Sequence, residues 1–64
     1  MDIAILNHPT GNVDIIRGID LDWFIDKYEG DIGEYLKDCG YNRYNIEWMS
    51  SEVIKVNETE KENI

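Results

Sequence analysis

The chain has 64 residues, a formal net charge of −8 and one cysteine. This length allows a single domain near the lower limit at which a chain folds without disulfides or metal ions, and one cysteine excludes an internal disulfide. The negative charge disfavours direct binding to nucleic acid or to anionic membranes, whereas a protein partner, including a basic one, is compatible with it.

Two short segments rich in Ile, Val and Leu begin the chain, at residues 2–7 and 13–17. The segment between them contains Pro9 and Gly11, whose backbone preferences suit a turn and interrupt a strand. The pattern therefore predicts a β-hairpin. The first six residues have no basic start and too short an apolar run for a signal peptide or a membrane span, so a cytoplasmic protein is expected.

The region 20–40 repeats one helical pattern twice, eleven residues apart. Apolar residues recur in each copy at positions i, i+3, i+4 and i+7, as on the buried face of a helix. They are Leu21, Phe24, Ile25 and Tyr28 in the first copy, and Ile32, Tyr35, Leu36 and Cys39 in the second. Each copy begins with an aspartate suited to an N-cap, Asp20 or Asp31, and ends at a glycine, Gly30 or Gly40. We expect two helices with Cys39 buried, and one continuous helix bent at Gly30 is the alternative.

The last apolar segments, residues 45–49 and 52–57, have the composition of strands and are interrupted at Ser50 and Ser51. Because the alternation of apolar side chains slips across this interruption, we expect either a bulge or a tight hairpin there. Residues 58–64 are polar and acidic without periodicity, which predicts a disordered tail.

The order of elements is thus ββααβ, with the last strand either continuous or split into a hairpin. It predicts the α+β class: a small, mainly antiparallel sheet with two short helices packed on one face, in a single domain of residues 1–57. The strands are apolar on both sides in places, as with Ala4 and Leu6 against Ile3 and Ile5. The face without helices is then either covered by the tail or the hairpin, or an interface with a partner protein or a second copy.

Residues 20–38 hold seven carboxylates and two lysines, and so −5 of the net charge. One interpretation is a solvated helical face with two caps. The other is that Asp22, Asp26, Glu29 and Glu34 imitate phosphates or complement a basic groove, as in acidic inhibitors that block nucleic-acid-binding enzymes. Such an inhibitor, acting as a DNA mimic, is the alternative functional hypothesis.

Three large side chains are candidates for contact with a partner: Trp23, Trp48 and Met49. Trp23 lies off the apolar stripe of its helix, so it either anchors a partner or packs over the edge of the hairpin to complete the core. Trp48 and Met49 are neighbours in a strand, so one of them faces the side that the helices leave uncovered. These residues favour an interaction module that binds a partner protein or forms a homodimer.

No arrangement of residues predicts catalysis, a cofactor or a metal site. His8 has no nucleophile or orienting partner in the pattern and is expected in the hairpin turn. The acidic segment 20–26 lacks the oxygen ligand and the glycine that a calcium loop needs, because Phe24 and Ile25 stand at those positions. We therefore expect a small acidic protein that is not an enzyme and acts by contact with another protein.

Overall fold

The computed structural model describes residues 1–60 as a three-stranded sheet with two helices. The elements follow the predicted order ββααβ and confirm the α+β class. They are β1 (Asp2–Asn7), β2 (Asn12–Ile16), α1 (Leu21–Tyr28), α2 (Ile32–Asp38) and β3 (Ile46–Ser51).

The sheet is antiparallel throughout, with β1 in the centre and β2 and β3 at its edges. The predicted hairpin is formed by β1 and β2, whose register places Ile3 opposite Ile16 and Asn7 opposite Asn12. The turn is closed by a hydrogen bond of 2.8 Å from the backbone N–H of Gly11 to the carbonyl of Asn7. Gly11 has a φ of +72°, a conformation in which a side chain would be strained.

Two separate helices form, as the paired caps predict. The carboxylate of Asp20 accepts from the N–H of Trp23 at 3.1 Å, and that of Asp31 accepts from the N–H of Glu34 at 3.2 Å. Between the helices Gly30 has a φ of +80°, which a continuing helix cannot adopt. The continuous bent helix is therefore excluded.

The hydrophobic core lies between the helices and one face of the sheet. Its buried members come from β1, both helices, β3 and the residue before the first cap, and Ile16 of β2 packs against them partly buried. The buried members are Ile3, Ile5, Ile19, Phe24, Leu36 and Ile46.

The predicted apolar stripe of the helices is only partly buried. Leu21 and Ile25 of α1 are about half exposed, and Cys39 is exposed, so its predicted burial is wrong. Three strands span about 10 Å between the outer two, which is about the distance between two packed helix axes. Each helix therefore rests on the sheet through a narrow strip, which in α1 includes Phe24 and leaves Leu21 and Ile25 half exposed.

After β3 the chain turns back instead of forming the strand predicted at residues 52–57. Ile54 is 4 % exposed; its N–H donates to Asp2 Oδ2 at 3.0 Å, and its carbonyl accepts from Arg17 Nη1 at 2.8 Å. Asp2 also accepts from the N–H of Gly18 at 2.9 Å and from Arg17 Nη1 at 3.0 Å. Because side chains satisfy the backbone of Ile54, residues 52–54 cross one end of the sheet as a strap and need no strand partner.

The strap, which belongs neither to the predicted tail nor to a hairpin, covers one end of the face that lacks helices. The backbone N–H groups of Gly18 and Ile54, and secondly the Arg17 guanidinium, stabilise the charged form of Asp2 and lower the pKa of its carboxyl group, against the opposing effect of burial. Residues 58–60 are exposed and belong to no helix or strand. The rest of the predicted disordered tail, residues 61–64, lies outside the described residues.

Candidate protein-interaction surfaces

The open face is the half of the helix-free side of the sheet that the strap leaves uncovered. The strand register places Leu6 opposite Val13 and Ala4 opposite Met49 on this side. Leu6, Val13 and Met49 are 42 %, 61 % and 58 % exposed. Ile15 is half-buried and Ala4 is buried between them, so the apolar surface is continuous across all three strands.

The open face carries little charge. Glu47 stands at its outer end, with a carboxylate oxygen 3.6 Å from His8 Nε2, and both side chains are largely exposed. Such exposed pairs contribute little to stability. At the other end the charges of Asp2 and Arg17 are paired. The face is therefore apolar in its middle and nearly neutral at its margins, in a chain of net charge −8.

The structure separates the three predicted contact residues. Met49 lies on the open face, whereas Trp48 lies opposite Ile5 on the helix side and is partly exposed at the sheet edge. Trp23 belongs to the helix layer and is also exposed. Trp23 and Met49 are therefore on opposite sides of the sheet and cannot form one contact surface.

Trp23 packs against aromatic side chains of the helices instead of the hairpin edge. Its ring centroid lies 5.9 Å from that of Tyr28 and 6.2 Å from that of Tyr35, both in edge-on geometry. The Nζ of Lys27 lies 5.3 Å from the Trp23 ring centroid, a cation–π arrangement. Burial and the hydrogen bond to Asp38 raise the pKa of Tyr28, so its hydroxyl stays protonated and donates to that carboxylate.

The four carboxylates nominated as an acidic surface differ from the other acids of the helices. Asp20 and Asp31 cap the helices, and Asp38 accepts from the Tyr28 hydroxyl at 2.9 Å. The nominated side chains have no hydrogen bond or ion pair within residues 1–60. They are Asp22, Asp26, Glu29 and Glu34.

Three of the nominated carboxylates meet at one depression on the helix layer. Asp26, Glu29 and Glu34 line it together with Lys27 and Tyr28, around a volume of about 460 Å³. Asp22 lies outside it. Within the described part of the chain, no three acidic, histidine or cysteine groups are placed to hold a metal ion. The depression is therefore chemically suited to a cationic side chain.

Sequence reasoning missed the apolar flank of α1. Leu21 lies beside the end of β3, where it lines a shallow groove of about 410 Å³ with Met1, Ser50 and Ser51. Ile25 is one helical turn further on and lies on the same flank. The helical period groups these two residues with Phe24, and only their position relative to the sheet shows that they are exposed.

Comparison with protein-family models, with curated proteins and with solved structures gives no match to this chain. Its own surfaces are therefore the basis for a functional proposal. No helix within residues 1–60 has the length and apolar character needed to cross a membrane.

Proposed function

We propose that this chain is a non-enzymatic interaction module that docks a partner protein on its open face. The observation that carries the proposal is the continuous apolar surface of Leu6, Val13 and Met49, exposed on a side of the sheet that no helix covers. Exposed apolar patches of this kind are characteristic of protein contact sites. The module is assigned to the cytoplasm as part of the same proposal, since its exposed Cys39 thiol suits a reducing compartment.

The distribution of charge supports a partner with an apolar, nearly neutral contact patch. The helix region 20–38 carries −5, whereas the open face has a paired Asp2 and Arg17 at one end and Glu47 at the other. Docking on the open face therefore leaves the acidic helices directed away from the partner. The uncovered half of three strands of about six residues has a footprint of roughly 150 Å². This area is well below the roughly 800 Å² per partner of a standard interface, which favours a transient contact.

An acidic inhibitor of a nucleic-acid-binding enzyme is the second candidate. It is favoured by the depression in which Asp26, Glu29 and Glu34 converge without intramolecular partners in the described chain. Binding through these groups would weaken steeply as salt rises, whereas apolar docking on the open face would not.

A pull-down with the tagged full chain separates the two candidates. The bait is compared with Leu6→Lys/Val13→Lys on the open face and with Asp26→Asn/Glu34→Gln at the acidic depression. Val56→Lys, at an exposed residue that belongs to neither set, is the matched control. Each is washed at about 0.1 M and about 0.5 M salt, between which screening of exposed charges increases sharply. Circular dichroism first establishes that all variants fold.

The proposal expects a captured protein that resists the high-salt wash, is lost with the open-face variant and is retained by the other two. Loss at high salt and with the acidic variant would replace it with the inhibitor. Capture that is equal for all baits, or no variant-dependent capture at all, would refute both.

A further inference from the structure

The outer edge of β3 is an unprotected sheet edge. β3 pairs with β1 over all six of its residues, from Ile46 opposite Asn7 to Ser51 opposite Asp2, without a bulge. No other hydrogen bond to the β3 backbone occurs within residues 1–60. Natural proteins usually protect such an edge with proline, lysine, a bulge or a covering segment. The β3 sequence IEWMSS contains no proline or lysine, and its one charged residue is Glu47, near the start of the strand.

Apolar side chains flank this edge on both sides of the sheet. Trp48 is partly exposed on the helix side, and Met49 is exposed on the open face. Leu21 of α1 lines a groove with Ser50 and Ser51 at the end of β3, and Ile25, one helical turn further on, is also about half exposed. A strand added at this edge would therefore find apolar contacts on both of its faces, as a central strand of a sheet does.

The edge at β2 is different. Asp14 lies in the middle of β2 and accepts from the Tyr41 hydroxyl at 2.8 Å. Arg17, directly after β2, holds the strap through the Ile54 carbonyl. The segment after α2 is thus bound to the middle of β2 and the strap to its end, and covering segments of this kind oppose strand addition. Within residues 1–60, the β3 edge combines unpaired backbone with flanking apolar side chains and has no segment bound along it.

We propose that a second copy of this chain adds at β3. Two antiparallel β3 strands, related by a two-fold axis perpendicular to the sheet, give a six-stranded sheet of order β2-β1-β3-β3-β1-β2 with all four helices on one side. The proposal does not depend on docking at the open face. It extends that face, because the apolar surfaces of both copies join into one of about twice the area.

The pairing of two β3 strands is compatible with their sequence. A two-fold axis that keeps both sets of helices on one side pairs residues of equal parity, so that Trp48 faces Trp48 or Met49 faces Met49. Glu47 of one copy then faces Met49 or Ser51 of the other. No like charges stand directly opposite each other within the strands, and large apolar side chains meet at the centre.

The position of α1 favours a second copy over an unrelated strand. Phe24 of α1 belongs to the core cluster that includes Ile46 of β3, and Leu21 of α1 lines a groove with Ser50 and Ser51 at the end of β3. With strands about 4.8 Å apart, the two α1 helices would lie about 10 Å from each other, close to the usual distance for packed helices. Leu21 and Ile25 would then be buried between them. An isolated peptide strand would leave both exposed.

The carboxylates of α1 oppose this association and give it a recognisable salt dependence. Asp22 follows Leu21 and Asp26 follows Ile25 in the sequence. The carboxylates of the two copies would therefore approach each other at the seam, the contact between the two α1 helices. Salt shortens the screening length from about 10 Å at 0.1 M to about 3 Å at 1 M. Self-association should therefore strengthen with salt, whereas binding of a basic partner would weaken.

Sedimentation equilibrium of the full chain tests the inference, with reductant present to prevent a Cys39 disulfide. Ile25→Glu places a charge in the seam, and Val13→Glu places the same charge at an exposed site on β2 as the matched control. We expect a dimer that tightens several-fold between about 0.1 and 0.5 M salt. Ile25→Glu should weaken the dimer at least tenfold, and Val13→Glu less than threefold.

Amide hydrogen exchange gives a second readout, because contact through side chains alone would not protect the backbone N–H groups of β3. At dimer-forming concentrations, alternate N–H groups of β3, those directed away from β1, should become protected. A monomer at all concentrations and salt conditions would overturn the inference. So would a dimer that Val13→Glu disrupts as much as Ile25→Glu, or one that leaves the exchange of β3 unchanged; the latter two would locate the contact elsewhere.

Discussion

Ile54→Ala tests whether the strap is an integral part of the fold. The side chain of Ile54 is 4 % exposed, and the substitution removes three carbon atoms from it. At about 0.8 kcal/mol for each buried methylene, the transfer contribution is about 2.4 kcal/mol. Isoleucine-to-alanine changes cost about 2–5 kcal/mol, depending on how far the site collapses. The strap lies at the surface and can close part of the gap, so we expect a loss of about 2–3 kcal/mol.

Such a loss is large for this chain, because cores of this size supply about 3–5 kcal/mol. The melting temperature should fall by about 10–20 °C. Urea unfolding followed by tryptophan fluorescence and by circular dichroism measures the change, with Val56→Ala as the control, since Val56 is exposed in the same segment of the chain. The control should lose less than about 0.5 kcal/mol. An Ile54→Ala variant within that margin of the unmodified chain would show that the strap contributes no stability.

Three further predictions concern the core, the strap and the helix end. Leu36 is fully buried, so Leu36→Ala should lower the free energy of unfolding by about 2–5 kcal/mol and leave the chain largely unfolded by circular dichroism at 25 °C. An unchanged urea midpoint would contradict the placement of Leu36 in the core. Two backbone N–H donors and a guanidinium lower the Asp2 pKa, so its stabilising contribution is complete above the unfolded-state value of about 3.9 and is lost as the pH falls through the lower folded-state pKa. Asp2→Asn should therefore flatten the decline of the urea midpoint in this acid range, and an unchanged slope would show that other carboxylates cause it. Cys39 is exposed, so its thiol should react with a chromogenic disulfide reagent about as fast in the native chain as in urea. A much slower reaction in the native chain would show that Cys39 is buried, as the sequence predicts.

The local structure of this chain follows from short-range sequence signals. Pro9 and Gly11 mark the hairpin turn, and Asp20 and Asp31 cap the two helices through bonds to N–H groups three residues later. Gly30 separates the helices through a positive φ. These features depend on the backbone preferences of a few neighbouring residues, so the sequence alone determines them.

The sequence also indicates which helix residues are central to the core, but it does not delimit the buried face. Periodicity groups Leu21 and Ile25 with Phe24, yet only Phe24 is buried, since three strands are too narrow to cover the whole apolar face of α1. The alternation of the last apolar segments, residues 45–49 and 52–57, predicts either one bulged strand or two strands. The second segment is a strap instead, because its backbone bonds to Asp2, which is 52 positions away from Ile54 in the chain.

The candidate surfaces depend most on tertiary structure. Strand alternation alone placed Trp48 and Met49 on opposite faces, as the register confirms. Trp23 and Met49 could be assigned to separate sides only once the helices were placed on the sheet. Likewise, the convergence of Asp26 and Glu34 from different helices depends on how the helices pack. Periodicity shows on which side of its own helix or strand a residue lies. Which of those sides remain exposed depends on how the elements pack, and that packing is set by contacts between residues distant in the chain.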